Sequence, residues 1–124
     1  MNVLVDTSVW IDFFRNKANT KLEELIKEYI IVTNYIILTE LIPALCIQNQ
    51  REVIESLQSI DSVPLTIDWD LIRNYQIINL PNGINKVGIP DLLILQQVVE
   101  NNLTLCTLDK HFALMQSHFD FKIH

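Results

Sequence analysis

The stretch Asn-Val-Leu-Val-Asp at residues 2–6 decides the fold, because an apolar, strand-forming run ends there in a carboxylate. Its apolar residues predict a short buried strand, and Thr7 and Ser8 begin a helix-like stretch immediately afterwards. A buried strand that passes directly into a helix is typical of open parallel α/β sheets. Such sheets bind ligands along the edge formed by the carboxyl ends of their strands. Asp6, the last residue of the run, is therefore the first candidate site residue.

Three further acids follow a similar transition or interrupt an apolar helix. Asp109 ends a second strand-like run that begins at Leu103, and Asp91 follows Gly-Ile-Pro at the start of an apolar helix. Glu40 lies within residues 36–42, where nearly every neighbour is apolar. A buried, unpaired carboxylate would be costly there, so we expect Glu40 to face a cation, a cleft or solvent.

Each acid also has an ordinary structural explanation. Asp6 could hydrogen-bond the turn that follows it, Asp91 could interact with its helix dipole, and Asp109 could cap a short helix. The joint pattern favours a shared site, because like charges within a few ångströms raise one another's pKa and destabilise the metal-free fold. Oxygen-only ligation suits Mg²⁺ or Mn²⁺, and such an ion supports phosphodiester hydrolysis.

The composition indicates one folded domain over residues 1–124, which we expect to be cytoplasmic. No run approaches the roughly 20 apolar residues of a membrane span, and the N-terminus lacks the basic segment of a secretion signal. Cys46 and Cys106 lack the spacing of a redox or zinc motif and are expected to be reduced core residues. The net charge of −6 argues against general coating of nucleic acid. It does not exclude catalytic contact with RNA, because metal ions can neutralise an acidic cluster and a basic partner could cover the rest.

The hydrophobic pattern alternates between strands and helices along the whole chain. This alternation predicts an α/β fold of three layers, α/β/α, with a short parallel sheet of four to five strands and helices on both faces. Strands are predicted at residues 3–5, 29–32, 63–67 and 103–107, with an edge strand at 119–123. Helices are predicted at residues 8–15, 18–28, 33–48, 51–60, 69–78, 90–101 and 110–117, with Ser8, Thr33 and Asp68 as N-caps.

Four segments, in order along the chain, resemble the motifs of PIN-domain ribonucleases, in particular the VapC-type toxins of toxin–antitoxin pairs. They are Val-Asp-Thr-Ser-Val-Trp-Ile-Asp (5–12), Thr-Glu-Leu (39–41), Ile-Pro-Asp-Leu-Leu-Ile (89–94) and Thr-Leu-Asp-Lys-His-Phe (107–112). The resemblance implies a PIN-like fold and a Mg²⁺-dependent endoribonuclease that hydrolyses RNA phosphodiester bonds. It also implies a cognate antitoxin protein that inhibits the enzyme.

By position, the resemblance implies catalytic and metal-binding roles for an acidic quartet. The quartet consists of Asp6, Glu40, Asp91 and Asp109, with Asp6 and Asp91 as the firmest metal ligands. Glu40 and Asp109 would act through water or as a general base. Ser8, and less strongly Thr7, would support the metal-bound water or the scissile phosphate. Pro43 departs from the family pattern and is expected to bend its helix and shift Glu40, whereas Gln96 and Gln97 are interpreted as surface variation.

Binding partners are predicted from the positions of basic residues and from an excess of apolar residues. Arg15, Lys86 and Lys110 lie beside the acidic motifs and are candidate contacts for RNA phosphates, although solvated surface charges would explain them equally well. The apolar residues at 36, 37 and 41 are difficult to bury in one small domain and suggest a homodimer or a groove for an antitoxin helix.

Two other classes of protein are alternatives to the nuclease. The alternative is a catalytically weak PIN-like binding module that acts through protein or RNA contacts. An aspartyl-phosphate enzyme with Asp6 as nucleophile is disfavoured, because phosphatases of that kind use Asp-x-Asp and the second acid is replaced here by Ser8.

Overall fold

A computed structural model describes residues 2–16 and 20–124, and within them a parallel sheet of four strands forms the centre of the fold. Seven α-helices and one 3₁₀ helix are found in the same residues. In chain order the elements are β1 (Val3–Val5), α1 (Thr7–Asn16), α2 (Thr20–Lys27), β2 (Ile31–Val32), α3 (Tyr35–Ile47), α4 (Arg51–Gln58), α5 (Trp69–Asn79), the 3₁₀ helix (Leu80–Asn82), α6 (Ile89–Glu100), β3 (Thr104–Cys106), α7 (Lys110–Met115) and β4 (Lys122–Ile123).

The strand order is β2-β1-β3-β4, and every neighbouring pair is parallel. The two central strands are buried at every residue, as expected for strands covered by helices on both faces. The predicted three-layer α/β/α fold is therefore confirmed. In the register of the central pair, Val5 lies opposite Cys106. The residues that follow these two, Asp6 and Thr107, consequently leave the sheet side by side.

The third predicted strand, at residues 63–67, is wrong. Among the described residues, only an isolated bridge between Thr33 and Ser62 joins this part of the chain to the sheet. Its backbone is bound instead by side chains of α6. Gln97 Nε2 donates to the carbonyl of Val63 at 2.9 Å, and Gln96 Nε2 donates to that of Thr66 at 2.7 Å. Amide side chains thus satisfy carbonyls that a neighbouring strand would satisfy in a sheet.

The prediction that Gln96 and Gln97 are surface residues is also wrong. Their exposed fractions are 1% and 2%. Gln96 accepts a further hydrogen bond from the backbone N–H of Asp68 at 3.2 Å, where α5 begins. Burial of these amides is tolerated because their polar atoms are paired.

The caps of three helices test the predicted helix boundaries. Asp68 caps α5 as predicted, since its side chain accepts from the Leu71 N–H at 3.1 Å. The cap of α3 is Asn34 rather than Thr33, because only Asn34 has a side chain that reaches the Ile37 N–H. Ser8 does not cap α1; it lies in the first turn, and its hydroxyl donates to Asp6.

Several helix and strand boundaries differ from the predicted ones by a few residues. Strand β2 begins at Ile31 rather than at residue 29, because Tyr29 adopts a left-handed backbone with φ of 56°. The predicted start of the second helix, Ala18, lies outside the described residues. The predicted edge strand is confirmed in shortened form as β4.

The core includes apolar residues that were expected from the sequence to be difficult to bury. Ile37 and Leu41 are buried within this chain, with exposed fractions of 0% and 4%, so the stated reason for a homodimer is wrong. Cys106 is buried as predicted, whereas Cys46 is exposed on α3 rather than in the core. Within the described residues, no helix is both long enough and apolar enough to cross a membrane.

Candidate active site

Asp6 lies at the carboxyl end of β1 and is 5% exposed. Its Oδ2 accepts hydrogen bonds from Ser8 Oγ at 3.0 Å and from Thr107 Oγ1 at 2.9 Å. Its backbone N–H donates to the Cys106 carbonyl at 2.9 Å, which continues the register of the two central strands. Both hydroxyls bind the same oxygen, so Oδ1 has no hydrogen-bond donor within residues 2–16 and 20–124. The carboxylate is held in one orientation with one oxygen available to another ligand.

The two hydroxyls also fix the chain that leads to Asp109. Ser8 Oγ accepts from the Leu108 N–H at 3.0 Å, and Thr107 Oγ1 accepts from the Asp109 N–H at 3.0 Å. Ser8 was predicted to support a metal-bound water or a phosphate. Its hydroxyl in this structure binds Asp6 and the turn after β3, which is a supporting contact of a different kind.

Glu40 projects from the middle of α3 towards the same place. Thr7 Oγ1, in the first turn of α1, donates to Glu40 Oε1 at 3.2 Å. Burial raises the pKa of Glu40 and the nearby charge of Asp6 raises it further, while the hydrogen bond from Thr7 acts in the opposite direction. Helix α3 runs on through Pro43 to Ile47, and Glu40 still reaches the N-terminal turn of α1. The expected displacement of Glu40 by Pro43 therefore does not remove it from the acidic cluster.

Asp91 lies in the first turn of α6, and its electrostatics connect all four acids. Burial raises the pKa of Asp91 to about 6, with further contributions from the charges of Asp109, Asp6 and Glu40. His111 acts in the opposite direction. A charge changes the pKa of a carboxylate in this way only when it is close. The acids at the end of β1, on α3 and at the starts of α6 and α7 therefore lie at one edge of the sheet.

Asp109 is the N-cap of α7, and its Oδ1 accepts from the His111 N–H at 2.9 Å. The imidazole Nδ1 of His111 lies 3.0 Å from the same oxygen. The alternative explanation of Asp109 as a helix cap is therefore correct, and it coexists with membership of the cluster. One oxygen binds the helix terminus and His111, while the charge of the group still acts on Asp91.

The four acids fit a hard cation of the kind that brings its own waters. No group of three or more His, Cys, Asp or Glu side chains in the described part of the chain is arranged to hold a metal ion as it stands. Mg²⁺ is commonly bound by one or two carboxylates, with waters and substrate oxygens completing its octahedron. Two carboxylates suit this arrangement. Asp6 has one oxygen without a hydrogen-bond donor in the described residues, and Asp91 is close to the negative charges of the other acids.

The three basic candidates are exposed and differ in their distance along the chain from the cluster. Lys110 follows Asp109 directly, and Lys86 lies in the loop before Asp91 with a left-handed φ of 65°. A non-glycine residue in that conformation carries strain and is frequently functional. Arg15 lies in the last turn of α1, two helical turns after Thr7, which is roughly 12 Å along the helix axis.

Thr107 and His111 were not identified from the sequence as site residues. A signal for Thr107 exists in the pairing of the two strand-like runs, since aligning Val5 with Cys106 places Thr107 beside Asp6. No comparable signal existed for His111, because its contact with Asp109 depends on the turn at the start of α7.

A separate groove of about 730 Å³ lies between α1, α2 and α4. Its floor includes Trp10, Phe13 and Phe14, whose rings lie 5.9–6.3 Å apart between centroids, and its rim carries Glu52 and Asp61. The indole Nε1 of Trp10 is buried and has no hydrogen-bond partner within residues 2–16 and 20–124.

Comparisons with known proteins agree on the fold. The family model of the PIN domain matches residues 3–116. The chain superposes over its full length on VapBC2 from Rickettsia felis bound to a promoter DNA fragment, with a TM-score of 0.78, 18% identity and 98% of that chain covered. The DNA-bound VapBC from Salmonella typhimurium matches with a TM-score of 0.78, 17% identity and 97% of that chain covered, again over the whole of this one. No curated protein matches the sequence significantly.

Proposed function

Because the chain belongs to the PIN domain family, we propose that it is a Mg²⁺-dependent endoribonuclease that acts as the toxin of a toxin–antitoxin pair. The observation that carries this proposal is the grouping of three carboxylates around Asp91, whose pKa is raised to about 6 by burial and by the charges of the other three acids. Repulsion of this kind destabilises a fold, so a cation is the natural occupant of the site. Mn²⁺, which prefers the same oxygen ligands, would serve as a substitute.

In the proposed mechanism, Asp6 and Asp91 would hold the cation, and the other two acids would act on the water that it activates. When bound, the cation would lower the pKa of a water and neutralise charge on the scissile phosphate. Ser8 and Thr107 keep Asp6 oriented by their hydrogen bonds to Oδ2. Thr7 holds Glu40, and the α7 terminus with His111 holds Asp109. Glu40 and Asp109 would be the candidates to accept a proton from the attacking water.

RNA is the proposed substrate, and Lys86 and Lys110 are its proposed phosphate contacts beside the acids. The net charge of −6 makes binding of nucleic acid away from the site unfavourable. The substrate is therefore expected to be held by a few contacts around the scissile phosphate and not by an extended basic surface. Arg15, farther along α1, would contact a more distant phosphate.

A cognate antitoxin is the proposed protein partner, and the aromatic groove is where we expect it to dock. The matched structures are VapBC2 bound to a promoter DNA fragment and DNA-bound VapBC, and VapBC-5 from Mycobacterium tuberculosis, which also matches, is a member of the VapBC family of toxin–antitoxin systems. The groove here offers apolar rings and an acidic rim at Glu52 and Asp61. An amphipathic segment with apolar and basic side chains would complement these two features.

A homodimer remains part of the proposal, on a different basis from the one predicted. Trp69, Ile77 and Leu80 are 52%, 65% and 56% exposed and recur at helical spacing along α5 and its extension. Such a stripe is a natural surface for a second copy of the chain. Light scattering of the purified chain would decide this, and a monomer at micromolar concentration would remove the homodimer from the proposal.

The experiment that tests the activity is cleavage of total RNA by the purified, partner-free chain with Mg²⁺ or with EDTA. Asp91→Asn is the test variant, and Asp120→Asn is the matched control because it makes the same change at an exposed carboxylate near the C-terminus. We expect discrete products that require Mg²⁺ and Asp91 but not Asp120. A folded, Mg²⁺-binding preparation that cleaves nothing would instead favour the catalytically weak binding module.

A further inference from the structure

A buried amide–amide hydrogen bond joins α3 to α6. Asn34 Nδ2 donates to Gln97 Oε1 at 2.6 Å, and the two residues are 0% and 2% exposed. Their other polar atoms are also engaged, because Asn34 Oδ1 caps α3 at the Ile37 N–H and Gln97 Nε2 binds the Val63 carbonyl. The bond is therefore part of a fully paired network, which is the condition under which buried amides define a unique geometry.

This bond and the acidic site lie at opposite ends of the same two helical segments. Glu40 follows Asn34 by six residues (40 − 34), and Gln97 follows Asp91 by six (97 − 91). Six residues correspond to about 9 Å of helix in each case. Asn34 contacts Gln97. Glu40 binds Thr7 directly after β1, and Asp91 begins α6, the helix that returns to the parallel strand β3, so both acids lie at the edge formed by the carboxyl ends of the strands. The two segments consequently run in opposite directions, with a hydrogen bond at one end and two like charges at the other.

We propose that the Asn34–Gln97 hydrogen bond positions the acidic site by holding α3 and α6 at the separation that lets Glu40 and Asp91 serve one divalent cation. This inference rests on the proposed function, since it concerns the same metal site. Asn34 and Gln97 are positioning residues, buried at a distance from the acids they align. A purely structural role for the bond implies only lower stability when it is lost. Positioning implies, in addition, weaker metal binding by a chain that is still folded.

The test compares Asn34→Ser with Gln96→Met. Serine is a good N-cap, so Asn34→Ser keeps the cap of α3 while its side chain is too short to reach Gln97. Gln96→Met removes hydrogen bonds to Thr66 and Asp68 from the neighbouring position of α6 but leaves the link to α3 intact. Both variants lose buried hydrogen bonds, and only the first loses the link. Mn²⁺ affinity of the full chain is measured by titration calorimetry at a temperature where each variant is folded.

We expect Asn34→Ser to weaken Mn²⁺ binding about tenfold, at the lower end of the effect of removing groups that orient metal ligands. Gln96→Met is expected to bind Mn²⁺ like the unmodified chain. Equal affinity of Asn34→Ser and the unmodified chain would overturn the positioning inference alone. Failure of the unmodified chain to bind Mn²⁺ would overturn the proposed function, and the inference with it. If Asn34→Ser does not fold, Asn34→Thr replaces it, because threonine also caps helices and fills more of the vacated volume.

A second measurement needs no metal. If the link resists repulsion between Glu40 and Asp91, then Glu40→Gln should stabilise Asn34→Ser more than it stabilises the unmodified chain in EDTA. We expect the rise in Tm caused by Glu40→Gln to be about 3 °C larger in the Asn34→Ser background. Sites without shared partners normally contribute additively, so equal rises in both backgrounds would contradict the inference.

Discussion

Helix α6 carries two polar regions that are built on opposite principles. Around Gln96 and Gln97, in its middle, buried amides are paired with one another and with backbone groups. Around Asp91, at the N-terminus of α6, carboxylates are brought together so that their like charges repel one another. The amide region stabilises the fold, while the acidic region is held in place against its own repulsion. The difference is the one expected if the amide region serves stability and the acidic region serves the proposed cation.

The largest effect should come from breaking the amide region. Gln97→Met preserves the approximate length of the side chain but leaves Asn34 and the carbonyl of Val63 unpaired in the core. We expect the free energy of unfolding to fall by about 3 kcal/mol, since each buried group without a partner costs about 1–3 kcal/mol. Urea denaturation measures the loss.

The matched control is Asn74→Met on the exposed face of α5, where the same kind of side chain meets solvent. Its effect should stay within about 0.5 kcal/mol, as for most surface substitutions. A loss for Gln97→Met as small as that of Asn74→Met would contradict the assignment of the amide region as a stabilising network.

The supporting hydroxyls of the acidic region should affect metal binding more than stability. Thr107→Val is nearly isosteric and removes the donor to Asp6 and the acceptor of the Asp109 N–H. We expect Mn²⁺ affinity to fall about tenfold, or roughly 1.4 kcal/mol, because two of the acids lose an orienting contact. Thr104→Val in β3, the strand that precedes Thr107, serves as the control because its hydroxyl makes neither contact. Equal Mn²⁺ affinities for the two variants would show that Ser8 alone is sufficient to orient Asp6.

Removing one of the like charges that repel one another should stabilise the metal-free chain. Asp91→Asn eliminates a carboxylate whose pKa is raised to about 6 by burial and by its acidic neighbours. The full shift would correspond to about 3 kcal/mol. Solvent screening at this partly exposed group reduces the expected gain at pH 7 to about 1 kcal/mol. Thermal unfolding in EDTA measures the gain, and the stabilisation by Mg²⁺ that we expect for the unmodified chain should disappear in the variant. A clear loss of stability in EDTA would indicate that Asp91 serves the N-terminus of α6 and not a cation.

The contrast between the two regions also explains what the sequence could predict. The strands β1 and β3 and the acids that follow them are visible as local patterns, because an apolar run that ends in a carboxylate needs no knowledge of distant contacts. The role of Gln97 is invisible locally, since its partners Asn34 and Val63 lie more than 30 residues away. The strand predicted at 63–67 was wrong for the same reason. Its β-branched composition is real, but the groups that bind its backbone belong to α6.

The contact of Thr107 with Asp6 is less visible in the sequence than the strands are, but more visible than the role of Gln97. It follows from the register of two parallel strands, which becomes predictable once both strands are identified and paired. The cap of α3 was misplaced by one residue because Thr33 and Asn34 are both good capping residues, and only the geometry of the turn after β2 distinguishes them.

The smallest effect should appear in the pH dependence of the metal-free chain. The pKa of Asp91 is about 6 in the folded chain, against an ordinary value of 3.8. Between these values the folded state retains a proton that the unfolded state has lost, so the contribution of Asp91 to stability falls as pH rises and is constant above about 6. The difference in unfolding free energy between Asp91→Asn and the unmodified chain should therefore grow by about 0.5 kcal/mol from pH 5 to pH 7, after allowance for screening. Burial raises the pKa of Glu40 in the same direction, but Glu40 is present in both proteins, and its own effect largely cancels in the difference. A difference that shrinks as pH rises would mean that the Asp91 carboxylate is stabilised by the fold, as a helix cap would be, and the contrast between the two ends of α6 would not hold.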